Sequence, residues 1–517
     1  MSATGLRLRS RPATWAFLAG AGVGILAVGL LLPFVVGDPV ATTRAASGAG
    51  ASTITGAADA GSGGAGGPSA AEEGGPDAGT GTGAGSAPSG PATAGGAASR
   101  SAATEGSGAL GATDVGVTPT EIRVGIIIPD LGTVGRSGFN AAGDPAETVR
   151  WWQAYVDEVN ESGGVAGRQL APFFRTVDII SESDRRAACL ELTEDKKVFA
   201  VLSDQALQQA DILCVTQEHQ RPFVAGADIS NEAFRKSNGL LFSHDAGAAR
   251  VLANMAWLYD AERGLRDRKI GIVSNESSNA SVNDGLLPAL KTLGYEVVHH
   301  SRLPLLPTDA EAQVPVEVSQ MRRKGVDLVF MAIDPINGSI FVRNAEAQLF
   351  RPQWVTADNS ANTNDTSANY HADAYEGAVA VTALRAGWFR ADEAQAPFDE
   401  RCRGVLQARL GRAPDPRRTR TASESSQYAT SMRACGILRL FAGGAAAAGG
   451  RLTAATFSSA MQGLGPVELG YAPAGSLQPG KFAAGGDQLR LVRFVADCGD
   501  GENCWVPASA WRQGHFR

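Results

Sequence analysis

Four aspartates stand at matching positions in two similar stretches of the chain. The segment VFAVLSD ends at Asp204 and RPFVAGAD ends at Asp228. The pattern returns as LVFMAID, ending at Asp334, and RPQWVTAD, ending at Asp358, with the same spacing between its two aspartates. Carboxylates that follow apolar, β-branched runs are expected at the ends of buried strands. There they could accept hydrogen bonds from a ligand's ammonium, guanidinium, amide or hydroxyl groups.

The aspartates also have a structural interpretation. Asp204 and Asp334 each precede a helical stretch, and Asp334-Pro335 fits an N-cap followed by proline at the first helical position. The two roles are compatible, because a helix N-terminus lies where a ligand would bind. The sequence leaves both roles open.

Strands and helices alternate around these aspartates. An apolar run begins at Arg123 in the first half and another at Lys269 in the second. Each is followed by apolar residues at helical spacing, over 146–161 and 280–293. Strands alternating with amphipathic helices predict a doubly wound parallel α/β sheet, and two copies of the unit predict two Rossmann-like lobes facing each other across a cleft.

The N-terminus predicts the compartment. Residues 13–36 carry no charge, and at ~1.5 Å per residue they would span about 36 Å, enough for a bilayer core. Arg7, Arg9 and Arg11 precede this run, so residues 1–12 are expected in the cytoplasm and the rest outside the cell membrane. The alternative is a cleaved signal peptide and a secreted protein.

A linker and one large domain follow. Residues 37–113 are rich in Gly, Ala, Ser, Thr and Pro and predict a disordered tether. Residues 114–517 form the expected folded domain, with 41 basic against 47 acidic residues and a net charge of −6. This balance argues against a nucleic-acid partner.

All six cysteines lie in the domain that we expect to be exported. An even count in an oxidising compartment favours disulfides, although six cysteines allow about 15 connectivities. Sequence order suggests three local pairs, which are Cys189 with Cys214, Cys402 with Cys435, and Cys498 with Cys504. A zinc site is the disfavoured alternative, because there is no CxxC and no histidine at ligand spacing.

Enzyme interpretations find little support. The run GTVGRSG from Gly132 to Gly138 follows a strand, but it is GxxGxxG and is better explained as a glycine turn than as a dinucleotide loop. The sequence has no GxSxG, HExxH or P-loop motif, and its histidines form no ligand pattern. We therefore expect a protein that is not an enzyme and has no metal or cofactor. An exported hydrolase is the weakest of the alternatives that remain.

The order of segments resembles a known family. It includes IRVGIIIPDLG at the first strand, NESGGV after the first helix, VFAVLSD, PFVAGAD, LLFSHDAGAARV, KIGIVSN, GYEVV and GVDLVFMAID. From about 114 to 500 the chain resembles the type I periplasmic binding proteins, in particular the leucine/isoleucine/valine-binding branch that feeds ABC importers. Cys189 and Cys214 look like the disulfide of that branch's amino-terminal lobe.

The resemblance implies a clamshell that closes on a small ligand, with three crossovers between the lobes. Lobe 1 would contain about 114–244 and 390–465, and lobe 2 about 245–389 and the C-terminal segment. The helix around Ser426 to Leu440 looks like the segment that returns to lobe 1. The expected ligand-binding residues are Ser203, Asp204, Ala227, Asp228 and Phe139 in lobe 1 and Asn275, Asp334 and Asp358 in lobe 2.

Two of these residues bear on the ligand class. In the family's amino-acid binders a serine near the position of Ser203 holds the ligand carboxylate. Asp228 stands where those relatives carry a threonine, and Asn275-Glu-Ser-Ser-Asn-Ala replaces the family's acid, tyrosine and glycine in lobe 2. The departures argue against branched-chain amino acids.

The resemblance thus implies a solute-binding protein for a small polar ligand, amino-acid-like or bearing an amide or cationic group. The expected partners are that ligand, an ABC permease and the membrane, through the N-terminal helix. The alternative function is an extracellular sensor or interaction protein that keeps the fold without a transport role.

Overall fold

Two mainly parallel sheets with the same strand order dominate the architecture. A computed structural model of the chain describes residues 110–132, 144–204, 208–227, 229–358, 362–363, 373–386, 395–415, 422–498 and 503–515. The predicted membrane helix at 13–36 and most of the predicted linker lie outside these residues, as do Phe139 and Asp228. No helix within the described ranges is long and apolar enough to cross a membrane.

The first sheet is parallel throughout. Its strands and the helices between them are β1 (Glu121–Asp130), α1 (Pro145–Glu161), β2 (Gln169–Asp178), α2 (Glu182–Leu190, continued by a π-helical turn, Glu191–Asp195), β3 (Ala200–Ser203), α3 (Gln209–Leu213, continued by a π-helical turn, Cys214–Glu218), β4 (Phe223–Ala225), α4 (Asn231–Lys236) and β5 (Leu241–Ser243). The strand order is β2-β1-β3-β4-β5.

The second sheet begins in the same way. Its elements are α5 (Ala248–Arg263), β6 (Ile270–Asn275), α6 (Asn279–Ser281, a π-helical Val282–Leu286 and Leu287–Leu293), β7 (Val297–Leu303), α7 (Pro307–Arg323), β8 (Leu328–Ala332), α8 (Pro335–Ala347), β9 (Gln353–Ala357) and β10 (Val379–Thr382). These strands are parallel and run in the order β7-β6-β8-β9-β10. The order repeats that of the first sheet, in agreement with the duplicated sequence pattern.

The C-terminal part of the chain adds helices that pack on the first sheet and strands that extend the second. Its elements are α9 (Pro397–Leu410), α10 (Ala422–Ala448), α11 (Ala454–Gln462), β11 (Gly465–Val467), β12 (Gly475–Leu477), β13 (Gln488–Val495), β14 (Cys504–Pro507) and β15 (Arg512–Gln513). Helices α9 to α11 pack on the first sheet in one apolar cluster with β1 and α1. Strand β13 joins β10 antiparallel, and β14 and β15 pair with β13.

Short polar residues start several of the helices. Asp144, Ser181 and Ser230 accept backbone N–H bonds at the beginnings of α1, α2 and α4, and Thr453 does so for α11. Such caps satisfy N–H groups that the first turn of a helix leaves without partners. The sequence therefore determines locally where these helices begin.

The chain passes between the two sheets three times. The first crossover follows β5 at Ser243, the second follows β10 at Ala383, and the third is the whole segment between β11 and β13, which includes the short strand β12. The first and third are joined, because Ser243 donates its N–H to the Phe482 carbonyl at 2.9 Å and accepts from the Ala484 N–H at 2.8 Å. The second and third are joined where the Arg385 N–H donates to the Tyr471 carbonyl at 2.7 Å.

Three disulfides link Cys189 to Cys214, Cys402 to Cys435, and Cys498 to Cys504. They are the local pairs suggested by sequence order. The first joins α2 to the π-helical turn after α3, and the second joins α9 to α10. Each closes a loop in the unfolded chain and is expected to stabilise the fold by about 2–4 kcal/mol.

Candidate functional site

One buried arginine stands between two carboxylates beside the crossovers. Arg433, on α10, places Nη2 3.0 Å from Asp204 Oδ1 and 2.7 Å from Asp245 Oδ2. Asp204 directly follows β3, and Asp245 lies in the first crossover. All three side chains are buried, with 5 to 7 % of each residue exposed. We call Asp204, His244, Asp245 and Arg433 the hinge cluster.

The two carboxylates of the cluster are not equivalent. Both oxygens of Asp245 have partners, since Oδ2 accepts from Arg433 and Oδ1 lies 2.8 Å from His244 Nδ1. Asp204 Oδ1 is within ion-pair distance of Arg433. The contact does not have the geometry of a hydrogen bond, and this oxygen has no hydrogen-bond partner among the described residues. Arg433 therefore compensates Asp245 better than Asp204.

His244 is held in one orientation by a backbone group. Its Nε2 accepts the N–H of Gly470, in the third crossover, at 3.0 Å. A nitrogen that accepts a peptide N–H carries no proton, so the proton of the neutral imidazole is on Nδ1 and is donated to Asp245. The side chain thus ties the first crossover to the third.

Two glycines allow the cluster to form. A Cβ on Gly226 would lie 2.8 Å from Asp204 Oδ1 and 2.5 Å from the Cδ1 of Ile437. A Cβ on Gly436 would lie 2.4 Å from His244 Nε2 and 2.7 Å from the Gly470 nitrogen. Any larger residue at either position would displace these groups.

The carboxyl groups of the cluster have opposite pKa shifts. Burial raises the pKa of Asp204 to about 7, against the attraction of Arg433, and the charge of Asp245 raises it further. Burial also opposes ionisation of Asp245, but the charge of Arg433 and the hydrogen bond from His244 outweigh it and hold the pKa of Asp245 below its usual value. Asp245 is therefore the carboxylate, and Asp204 is the group that takes up a proton near neutral pH.

Asp334 of the second lobe is a helix cap. Its Oδ1 accepts the N–H groups of Ile336 and Asn337 at the start of α8, at 2.9 and 3.0 Å. Its Oδ2 accepts from the side-chain amides of Asn275, at 2.6 Å, and Asn337, at 2.9 Å. Burial raises the pKa of Asp334, although these hydrogen bonds oppose the shift. The N-cap role allowed by the sequence is confirmed, and the protein's own groups supply four donors to this carboxylate.

Asn275, at the end of β6, is likewise engaged by the protein. Its Nδ2 donates to Asp334, and its Oδ1 accepts hydroxyl protons from Ser277 at 2.8 Å and Ser278 at 3.2 Å. The pair Asn275–Asp334 thus connects the carboxyl ends of β6 and β8.

Asp358 lies near the second crossover. Its Oδ2 accepts the N–H of Ala383 and its Oδ1 accepts the hydroxyl proton of Thr363, both at 2.5 Å. Burial raises the pKa of Asp358 to about 6 despite these hydrogen bonds, and the charge of Asp245 adds to the increase. The charge of Asp245 raises the pKa of Asp204, which follows a strand of the first sheet, and of Asp358, which follows a strand of the second. Asp245 therefore couples the two sheets electrostatically.

A second polar group reinforces the crossovers. Asp399, in the first turn of α9, accepts the N–H of Tyr471 at 2.9 Å and the hydroxyl proton of Tyr428 at 3.3 Å. Burial raises the pKa of Asp399. The second and third crossovers are therefore held to α9 and α10 close to the hinge cluster.

The predicted site residues separate into three groups. Asp204 and Asp358 both interact electrostatically with Asp245, whereas Asn275 and Asp334 form their own pair. Ser203 donates its hydroxyl to the Ile127 carbonyl at 3.4 Å, and the Ala227 carbonyl accepts from Ser243 Oγ at 2.6 Å. Phe139 and Asp228 lie outside the described residues.

The capping interpretation of Asp204 is wrong. The N-cap of α3 is Gln208, and it is Asp211 that accepts the Gln208 N–H, at 3.1 Å. Asp204 instead faces Arg433, which lies 229 positions later in the chain. The sequence cannot show this pairing, because it depends on the return of α10 to the first sheet.

Sequence reasoning missed His244, Asp245 and Arg433. His244-Asp245 directly follows a short apolar strand, and Arg433 is a lone cation in the apolar run ATSMRACGIL. A charge inside an apolar helical run is rarely buried without a partner, so Arg433 was the detectable signal.

The described residues contain one group with the donor types of a metal site, Cys189, Cys214 and His219. Its cysteines form a disulfide, so they offer no thiolates to a metal ion.

A groove of about 1000 Å³ lies on the helical side of the first sheet. It lies between α1, α9 and α10 and includes none of the predicted ligand-binding residues. Ion pairs Arg409–Glu161, Arg439–Glu158 and Arg401–Glu468 lie among its lining residues. These pairs leave the groove without excess charge, in contrast to the hinge cluster.

Comparison with known proteins identifies the family. The model of a family described as periplasmic binding protein matches residues 121–498, most of the chain. The chain therefore belongs to the periplasmic binding proteins, and its resemblance to the type I, leucine-binding branch is confirmed. A search of curated proteins finds no match.

Solved structures share the fold at low identity. A solute-binding protein of an ABC transporter from Rhodopseudomonas palustris HaA2, in complex with p-hydroxybenzoic acid, is 14% identical, with a TM-score of 0.56 over 77% of this chain and 98% of that one. A fatty acid ABC transporter substrate-binding protein from Thermomonospora curvata is 16% identical, with a TM-score of 0.55 over 78% and 95%. An ABC transporter substrate-binding protein from Desulfitobacterium hafniense, in complex with Leu, is 16% identical, with a TM-score of 0.51 over 75% and 100%. The neighbours are solute-binding proteins for different small ligands, and at these identities they establish the fold alone.

Proposed function

We propose that this protein is an extracytoplasmic solute-binding protein that holds a small polar ligand between its lobes and delivers it to an ABC importer. The ligand carries a cationic or amide group. The observation that supports this ligand class is the hinge cluster, where two buried carboxyl groups face a single guanidinium. A ligand cation would compensate the carboxyl that Arg433 serves less well.

The location is part of the same proposal. Residues 13–36 anchor the protein in the cell membrane, and the described domain lies outside it, on the tether of residues 37–113. If the N-terminal segment is cleaved instead, the domain is secreted.

A thermal-shift screen of the full-length chain tests the function. The panel contains cationic and amide compounds such as agmatine and L-leucinamide, the zwitterion L-leucine, the anion 4-hydroxybenzoate, and sugars. A cationic or amide ligand at 100 times its dissociation constant is expected to stabilise the protein by about 2.7 kcal/mol. We expect the shift to be lost in Asp228→Ala, the position at which this chain departs from its relatives.

The other outcomes are informative. Stabilisation by 4-hydroxybenzoate or L-leucine alone would contradict the ligand class but not the solute-binding role. No stabilisation by any compound would favour the sensor or interaction protein. A shift that persists in both Asp228→Ala and Ser203→Ala would place the ligand elsewhere.

A further inference from the structure

The hinge cluster contains more acidic than basic groups. The charged groups that face Asp204 are Arg433 from α10 and Asp245 from the first crossover. From the end of β4 Gly226 approaches Asp204 without a side chain, and Asp228 lies outside the described residues. His244 adds no positive charge, because its Nε2 accepts a peptide N–H. With both carboxyls ionised the cluster would carry one uncompensated negative charge.

That charge falls on Asp204. Asp245 receives two side-chain hydrogen bonds, from His244 and Arg433, at 2.8 and 2.7 Å. Asp204 Oδ1 receives none from the described residues. A buried carboxylate with poor compensation is unfavourable, and either a proton or an external cation can remove the cost.

Building on the solute-binding role proposed above, we propose that Asp204 carries a proton while the cleft is empty and that a cationic ligand group displaces this proton. The O–H bond of the carboxylic acid breaks, the proton passes to water or buffer, and the ligand cation takes its place beside the carboxylate. The net charge of the cluster, counted together with the ligand group, is the same before and after the exchange. Ligand capture is therefore coupled to the release of one proton.

The coupling has a direct consequence for affinity. While Asp204 is protonated in the empty protein, releasing one proton makes the dissociation constant fall about tenfold for each unit that the pH rises. The dependence ends above the pKa of Asp204, about 7. The protein would therefore capture its ligand at neutral pH and release it in an acidic environment.

The first part of the test uses no ligand. Because the pKa of Asp204 is raised in the folded protein, its stabilising contribution is complete below the unfolded pKa, near 3.8, and is lost as the pH rises through about 7. Asp204→Asn removes this loss. The melting temperature of Asp204→Asn minus that of the wild type should therefore increase by about 3 °C or more between about pH 5 and about pH 8.

Asp245→Asn is the matched control. Asp245 has a lowered pKa and two partners, so its substitution should lower the melting temperature most at neutral pH, which is the opposite trend. If the Asp204→Asn difference does not change with pH, Asp204 holds no proton and the inference is wrong. This result would leave the solute-binding function intact.

The second part measures the proton directly. Calorimetric titration of the full-length chain with agmatine or L-leucinamide near about pH 6, in two buffers of different ionisation enthalpy, should give close to one proton released per ligand bound. In Asp204→Asn proton release should disappear, and the affinity should no longer depend on pH. Binding without proton release, or binding of neither probe at millimolar concentration despite the ligand-free pH effect, would overturn the displacement step. A thermal-shift panel with no response at all would instead contradict the proposed function.

Discussion

Arg433 determines the electrostatics of the hinge cluster at the scale of single residues. It is the one cation in the run ATSMRACGIL of α10, and two aspartates from distant parts of the chain converge on it. Removing one member of a buried ion-pair network leaves uncompensated charge, whereas an exposed pair contributes little. Two arginines on α10 allow these cases to be compared.

We expect Arg433→Gln to lower the free energy of unfolding by about 3–5 kcal/mol at neutral pH, because Asp245 would lose its cation. The matched control is Arg439→Gln on the same helix, whose side chain is 39% exposed and pairs with Glu158. That change should cost about 1 kcal/mol or less. Urea unfolding measures both values, and similar costs for the two variants would show that Arg433 is not the buried centre of the cluster.

At the scale of secondary structure elements, α10 connects the first sheet to the crossovers. One face packs in the apolar core of the first lobe, and Gly436 allows His244 and Gly470 to approach the helix backbone. Farther along the helix, Gly443 has open space where a Cβ would stand, with no atom within 4 Å. Replacing each glycine by alanine therefore distinguishes the steric effect of the close contact at Gly436 from the effect of helix propensity, which acts alone at Gly443.

Gly436→Ala should destabilise the protein by roughly 1–3 kcal/mol, because the added methyl group displaces His244 or the third crossover. Gly443→Ala should stabilise it by up to about 1 kcal/mol, since alanine is the better helix former. Thermal unfolding of the two variants provides the measurement. Stabilisation by both substitutions would mean that the crossover does not rest on α10 at Gly436.

At the scale of the whole molecule, four buried aspartates determine the pH dependence that we expect for the stability of the fold. Burial raises the pKa of Asp204 to about 7 and of Asp358 to about 6, and it also raises the pKa of Asp334 and Asp399. Each of these groups binds its proton more tightly in the folded chain. Their stabilising contributions are therefore complete below their unfolded pKa and are lost as the pH rises through the folded values.

We expect the free energy of unfolding of the full-length chain, measured with urea, to be highest near about pH 5. It should fall by roughly 1 kcal/mol or more toward about pH 8. Asp358→Asn should remove the part of the decrease that occurs below about pH 6. Asp284→Asn, at an exposed position, is the control and should keep the wild-type profile. A stability that rises steadily from acid to neutral pH would contradict the raised pKa values.

Much of the fold could be read from local patterns. The strands around VFAVLSD and LVFMAID and the helices over 146–161 and 280–293 follow from apolar periodicity within short windows. Capping of α8 by Asp334 followed from one residue pair, Asp334-Pro335. Such features depend on neighbours a few positions apart, which the sequence displays directly.

The sequence by itself determined two similar α/β lobes, aspartates at matching strand ends, and the order in which the cysteines could pair. The tertiary structure decided what each aspartate does: Asp334 caps a helix, Asp358 holds a crossover, and Asp204 shares Arg433 with Asp245. Asp245 and Arg433 are 188 positions apart, and they meet because α10 returns to the first sheet. Burial and charge depend on such contacts between distant segments, so the pKa values that distinguish these aspartates arise only in the folded protein.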